Sequence, residues 1–198
     1  MVAEWKIPTD RQLAEILGLG VLWGLIEVYV SPGIKSLEPA LFGLVMPFLI
    51  TLLMLFARWR LPVVGSLFLM GTIAALMEYL LTGMVLHGAG GAILLEALGA
   101  ELILSLGGLR LVPILLVGMY VELYSAFHPL IFKSQFCQSM HVMLYRRWVL
   151  AHFPGLGTEL TRPQTWILVI ASHTGMGLLA GSCFAAFKRF WSRRKATD

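Results

Sequence analysis

Long apolar blocks, separated by short polar or glycine-rich breaks, dominate the pattern of this chain. A block of about 20 apolar residues is long enough to cross the hydrocarbon core of a bilayer. The pattern therefore predicts an all-α polytopic membrane protein, a single integral membrane domain over residues 1–198 with six transmembrane helices in one bundle. The predicted spans are residues 13–30, 41–57, 63–86, 92–106, 111–132 and 164–187.

The breaks between the blocks indicate where the helices end. We expect the first span to stop at Ser31-Pro32-Gly33, because these residues favour turns over a continued helix. The segment 136–153 differs from the spans, since its apolar residues recur at helical spacing while Arg146 and Arg147 occupy other positions. It predicts an amphipathic helix lying in the membrane interface.

Composition and charge agree with a membrane location. The chain is 58% hydrophobic and 13% charged, whereas soluble domains are about 25% charged. The net charge of +4 comes largely from the last residues, and such a basic cluster in a membrane protein indicates topology or anionic lipid rather than nucleic acid. With both termini inside, the inner segments carry twice as many basic residues as the outer ones. We therefore expect a cell (inner) membrane protein with cytoplasmic N- and C-termini and no removable signal peptide.

The apolar stretch from Gly65 to Phe132 carries four glutamates, Glu78, Glu96, Glu101 and Glu122. A carboxylate at the centre of a membrane helix costs about 2.5–3.5 kcal/mol on insertion scales, so chains rarely keep one without a use. We expect the function of this protein to lie near these residues.

Assigning depths at about 1.5 Å per residue brings polar side chains from five helices to the outward half of the bundle. Carboxylates, imidazoles and aromatic rings in one layer predict a pocket that opens outward, suited to a cationic or hydrogen-bonding ligand on which rings can stack. The predicted substrate-binding residues are Glu27, Glu78, Glu96, Glu122, Tyr124, His128, Trp166 and His173.

Small residues recur four apart in the first predicted span, at Ala14, Gly18, Gly20 and Gly24. This spacing lets the backbone of another helix approach closely. The residues predict either a face that docks a partner subunit or packing within this chain, and the sequence leaves both open.

Other chemistries find less support. The chain has no HExxH, no Cys-xx-Cys pair and no Walker A sequence, so we expect no enzyme, no metal and no cofactor. Two alternatives stay open: a membrane redox or haem protein that uses His128, His141, His152 or His173, and a structural assembly factor whose glutamates pair internally.

The middle of the chain resembles the substrate-binding S components of energy-coupling factor (ECF) vitamin transporters, including those assigned to thiamine precursors. The likeness covers residues 12–132. It is carried by the glycine-rich lead His87–Gly91, the segment Ala92–Arg110 and a fifth helix that ends in His128–Phe132. Chain length, six spans, internal termini and an outward pocket fit the same family.

This resemblance implies that the protein captures a small vitamin or precursor from the outer side. It also implies two kinds of partner, a transmembrane coupling subunit and two cytoplasmic ATPase subunits. Family substrate contacts map by region onto Glu96, Glu122, Tyr124, His128, Trp166 and His173. Docking in the family uses small residues on the first helix, usually alanines, where this chain has Ala14, Gly18, Gly20 and Gly24.

Overall fold

The computed structural model of the chain describes residues 6–83, 89–132, 140–153 and 160–194, with side chains except at 39–40, 89, 128–132 and 140–142. The secondary-structure elements in these ranges are helices. They are α1 (Asp10–Leu25), a π-helical turn (Ile26–Val30), α2 (Ser31–Leu37), α3 (Pro39–Arg60), α4 (Ser66–Thr82), α5 (Ala89–Gly107), α6 (Leu111–Phe132), α7 (Met140–His152) and α8 (Arg162–Arg194).

Four helical stretches are long and apolar enough to cross a membrane: Asp10–Leu37, Leu41–Arg60, Gly90–Gly107 and Arg162–Arg194. Two apolar stretches, Ser66–Thr82 and Leu111–Phe127, are shorter than these. The prediction of an all-helical protein with membrane-type helices is confirmed for the described residues. The count of six spans stays a prediction.

The predicted end of the first helix at Ser31-Pro32-Gly33 is wrong, because the helical path continues to Leu37. A π-helical turn precedes this point, and the backbone N–H of Ser31 bonds to the carbonyl of Ile26, five residues earlier. Pro32 then occupies the first turn of α2, where a missing N–H is tolerated. The wider π-helical turn therefore takes the chain through a sequence that normally ends a helix.

Two other helices differ in length from the predicted spans. Within the predicted span 63–86, α4 begins after Gly65 (φ 87°) and ends before Gly83 (φ 68°), because both glycines adopt the left-handed conformation. Residues 84–86 of that span lie outside the described residues. The last helix is longer than the predicted 164–187, since its basic end remains helical to Arg194. The predicted amphipathic segment does contain a helix, α7, packed against α3 and α8.

The bundle is organised around α3, which contacts each of the other seven α-helices in the described part of the chain. Around it, α1 packs on α4, α4 on α5, α5 on α6, and α6 on α8. The side chains of Met54 and Leu55 on α3 are fully buried, and they belong to the main apolar cluster of the bundle. A central helix with neighbours on all sides explains this burial.

The closest approach between α6 and α8 occurs at Gly118 and Gly177. A Cβ atom on Gly177 would lie 2.5 Å from the carbonyl carbon and oxygen of Gly118, closer than real side chains tolerate. Only glycine fits at both positions, as is common where membrane helices cross. One helical turn away along each helix are Glu122 and His173, so the glycine contact determines how close these two side chains come.

Basic residues gather at one end of the bundle, which we call the basic end. It contains Lys6, Arg11, Arg58, Arg60, Arg110, Lys188, Arg189, Arg193 and Arg194. Contacts tie its parts together: Arg60 lies 3.7 Å from Glu15 of α1, and the Lys188 ammonium donates to the Leu109 carbonyl at 2.7 Å. At the opposite end, the π-helical turn, the end of α4 and the start of α5 come together.

Candidate functional site

Four carboxylates from four different helical segments form one cluster, which we call the acidic cluster: Glu27, Glu78, Glu96 and Glu122. Glu27 lies close enough to Glu78 and Glu96 for their charges to interact, and Glu96 is similarly coupled to Glu122. Glu122 is fully buried, and Glu78 and Glu96 are each 8% exposed. The structure thus brings together four of the residues singled out by the sequence.

The cluster runs from the opposite end of the bundle towards its middle. Glu27 is half-buried in the π-helical turn and accepts a hydrogen bond from the indole Nε1 of Trp23 at 3.3 Å. Trp23 itself is fully buried, which fixes this partner in place. π-Helical turns inside α-helices are frequent at functional sites, and this one carries the outermost member of the cluster.

The innermost part of the site is a pair between α6 and α8. Glu122 Oε2 and His173 Nδ1 are 3.0 Å apart, and both side chains are completely buried. This contact requires a proton between the two atoms, carried either by the imidazole or by the carboxyl group. Glu122 Oε1 has no hydrogen-bond partner among the described residues, so one acceptor at the base of the cluster is left open.

Two tyrosines border Glu96. Tyr120 and Tyr124 stack on each other with ring centroids 6.0 Å apart and an angle of 20° between their planes. Both lie close enough to Glu96 for its charge to act on them. Tyr120 donates to the Leu95 carbonyl at 2.7 Å. Tyr124 was predicted from the sequence and Tyr120 was not, although the position of Tyr120 one turn earlier on the same helix face could have indicated it.

The aromatic contact of Trp166, another predicted site residue, is made away from the carboxylates. Trp166 stacks on Phe127, with centroids 5.7 Å apart and planes within 4°. Both belong to a second apolar cluster that includes Tyr145 and Val149 of α7. The contacts described for Trp166 are therefore with this cluster. The side chain of His128 lies outside the described residues.

Glu101 is separate from the acidic cluster and has a structural role. It forms a buried ion pair with Arg58, whose other amino group donates to the Val63 carbonyl at 2.8 Å. The second carboxylate oxygen of Glu101 accepts the backbone N–H of Leu67 at 2.9 Å. Since α4 has no capping side chain of its own, Glu101 caps its first turn from a neighbouring helix. The expectation that Glu101 lies near the function finds no support in these contacts.

The small residues of α1 point in two directions. Gly20 and Gly24 are buried against α4, where an added Cβ would lie 2.7 Å from Ile73 Cβ and 2.6 Å from Met77 Cβ respectively. Of the two alternatives left open by the sequence, these contacts show packing within the chain for Gly20 and Gly24. Ala14 and Gly18 are exposed, since the two pairs are offset by half a helical turn.

The remaining histidines do not converge in the described part of the chain. His152 is exposed, and its Nδ1 lies 2.9 Å from the Trp148 carbonyl. The side chain of His141, like that of His128, lies outside the described residues. Among the described side chains, no group of three or more His, Cys, Asp or Glu could hold a metal ion.

Comparisons with family models, with curated proteins and with solved structures find no match to this chain.

The acidic cluster is suited to a ligand that donates hydrogen bonds or carries positive charge. No lysine or arginine in the described ranges pairs with any of its four carboxylates. Two buried oxygens, Glu78 Oε2 and Glu122 Oε1, have no partner among the described residues. Buried acceptors without a partner cost about 1–3 kcal/mol each, so an N–H group or a cation that reached either oxygen would be stabilised.

Proposed function

We propose that this chain is the membrane-embedded solute-binding subunit of an ECF-type uptake transporter. Its ligand would be a small vitamin or precursor of cationic or heteroaromatic character, thiamine-related compounds included. The observation that carries the proposal is the acidic cluster: buried carboxylates from four helical segments, without cationic partners in the described chain and with two open acceptor oxygens.

The proposal includes six spans. At 1.5 Å per residue, the 17 residues of α4 extend about 25 Å and the 22 residues of α6 about 33 Å. A hydrocarbon core of about 30 Å is within reach of both, given the loop residues that flank α4. In this proposal α4 and α6 therefore complete a six-span bundle together with the four longer stretches named above.

The orientation in this proposal follows from the basic end. Cytoplasmic segments of membrane proteins are enriched in lysine and arginine, so the basic end faces the cytoplasm and the opposite end faces outward. A ligand arriving from outside first meets Glu27 and Glu78. Glu122 and His173 form the floor of the site, where both side chains are completely buried.

The coupling partners belong to the same proposal. A transmembrane coupling subunit would dock on the side of α1 that faces away from the bundle, where Ala14 and Gly18 are exposed near the basic end. Two ATPase subunits would act on that coupling subunit from the cytoplasm. Co-purification of the tagged full chain from its native membrane tests this part, and recovery of the chain without any ATPase would contradict it.

The binding proposal is tested with single isosteric variants, Glu78→Gln, Glu96→Gln and Glu122→Gln, in the purified full chain. The probes are thiamine and its separate pyrimidine and thiazole precursors, and the readouts are thermal stabilisation and isothermal titration. Hydrogen bonds to a charged group contribute about 1.5–3 kcal/mol, so loss of one should raise Kd by about 10- to 150-fold.

Glu15→Gln is the matched control, because Glu15 is a glutamate of the same bundle that pairs with Arg11 and Arg60 at the basic end. We expect it to bind the probes like the unmodified chain. Unchanged affinity in all three cluster variants would contradict the site, and no stabilisation by any probe would contradict the ligand class.

A further inference from the structure

A cleft of about 320 Å³ lies at the basic end, between the start of α6 and the last turns of α8. Its floor is apolar and includes Leu109 and Ile114, which are 4% and 2% exposed. Its rim is cationic and carries Lys188, Arg189 and Arg193. We call this feature the basic cleft. It is far from the acidic cluster and plays no part in the solute-binding proposal.

The positive charge of the basic cleft is not neutralised within the described chain. Arg189 and Arg193 lie four residues apart on one helix face, and neither forms an ion pair with a described residue. Elsewhere at this end, Arg11 and Arg60 do have a carboxylate partner, Glu15. Lys188 donates to the Leu109 carbonyl at 2.7 Å, which holds the loop before α6 against α8 and shapes the cleft.

Aromatic side chains indicate the depth of the basic cleft in the membrane. Trp59 makes edge-to-face contacts with Phe187 and Trp191, with ring centroids 5.7 and 6.2 Å apart. Tryptophans gather where the hydrocarbon meets the headgroups. Because Phe187 and Trp191 alternate along α8 with the basic residues of the rim, the rim lies at headgroup level.

The surface beside the basic cleft is apolar and open. Leu111 lines the cleft and is 47% exposed, and Val112 next to it is 65% exposed. These residues begin α6, a helix of 22 residues whose amino-terminal end carries partial positive charge. A ligand that fits has an anionic group for the rim and an apolar body for the exposed start of α6.

We propose that the basic cleft binds the phosphodiester headgroup of an anionic phospholipid of the phosphatidylglycerol type, with its acyl chains lying along the start of α6. Arg189 and Arg193 contact the phosphate, and the apolar surface of Leu111 and Val112 contacts the chains. A soluble phosphate would satisfy the arginines but leave this apolar surface uncovered. Basic sites between membrane helices on the cytoplasmic side bind anionic headgroups in the same way.

The test uses the full chain purified in a neutral detergent and titrated with phosphatidylglycerol, phosphatidylcholine or inorganic phosphate. The readouts are the thermal unfolding midpoint and the lipid retained in native mass spectrometry. Only phosphatidylglycerol should raise the midpoint. In the double variant Arg189→Gln/Arg193→Gln its apparent affinity should fall about 30-fold, since each basic side chain near an anionic surface contributes about fivefold.

The double variant Arg11→Gln/Arg60→Gln removes the same charge from the same end, outside the basic cleft, and should lose less than about threefold. Equal losses in the two double variants would overturn the proposal in favour of general charge attraction. An equal shift with inorganic phosphate would overturn the lipid assignment, and no shift with phosphatidylglycerol would overturn both. If the first double variant does not fold, Arg193→Gln alone must show a loss of about fivefold.

Discussion

The contact between Gly118 and Gly177 predicts opposite outcomes for two alanine substitutions only two residues apart on α8. At Gly177, a Cβ atom would lie 2.5 Å from the Gly118 carbonyl group and 2.7 Å from the backbone nitrogen of Met119. At Gly175, a Cβ atom would meet nothing within 4 Å. Both glycines lie within the same long helix, so both substitutions gain the same helix propensity.

The expected destabilisation by Gly177→Ala follows from these distances. Non-bonded carbon atoms rest at about 3.5–4.0 Å, so Gly177→Ala requires α6 and α8 to separate by about 1 Å. Overpacking of this kind costs about 1–3 kcal/mol. Replacing glycine by alanine inside a helix gains about 0.8–1.0 kcal/mol in both variants. The difference between Gly175→Ala and Gly177→Ala therefore isolates the overpacking cost of about 1–3 kcal/mol.

Thermal unfolding of the two variants in the same detergent measures this difference. We expect Gly175→Ala to unfold at or above the temperature of the unmodified chain and Gly177→Ala below it. For a chain of this length, each kcal/mol shifts the midpoint by about 2–4 °C. The double variant Gly118→Ala/Gly177→Ala should destabilise the chain by less than the sum of the two single variants, because the first methyl group has already separated the two helices when the second is added. A Gly177→Ala midpoint equal to or above that of Gly175→Ala would refute the close crossing.

Two further predictions concern buried polar groups. Arg58→Met should destabilise the chain by about 3–5 kcal/mol, because it leaves the Glu101 carboxylate buried without its cation. Adding Glu101→Gln to this variant should recover part of the lost stability in the same unfolding assay. No recovery would contradict the pairing of Arg58 with Glu101. Tyr120→Phe should cost about 1 kcal/mol by removing the hydrogen bond to the Leu95 carbonyl, whereas Tyr79→Phe, on an exposed tyrosine of α4, should unfold like the unmodified chain.

Several features of the candidate site could be predicted from the sequence because they depend on depth along a helix. Glu27, Glu78, Glu96 and Glu122 were expected at similar depth from helix boundaries and antiparallel order. The structure brings them close enough for their charges to interact. An error of a few residues at a helix end shifts depth by only a few ångströms, so the grouping tolerates the incorrect boundary at Ser31.

Other features depend on which way each helix face points, and the sequence left these open. Gly20 and Gly24 have the same spacing as Ala14 and Gly18, yet they face α4 while the other pair is exposed. Rotation about a helix axis is fixed by neighbouring helices, and a helix that is apolar on all sides carries little information about it.

By itself, the sequence determined that this chain forms helices long and apolar enough to cross a membrane, because apolar blocks and a low charge content allow few other structures. Only the tertiary structure decided which partners each glutamate contacts. Glu101 meets Arg58 and caps α4, whereas Glu122 meets His173 across a glycine crossing and keeps one open acceptor. The four glutamates of the central stretch look alike along the chain, and they differ only in the partners that helix packing places beside them.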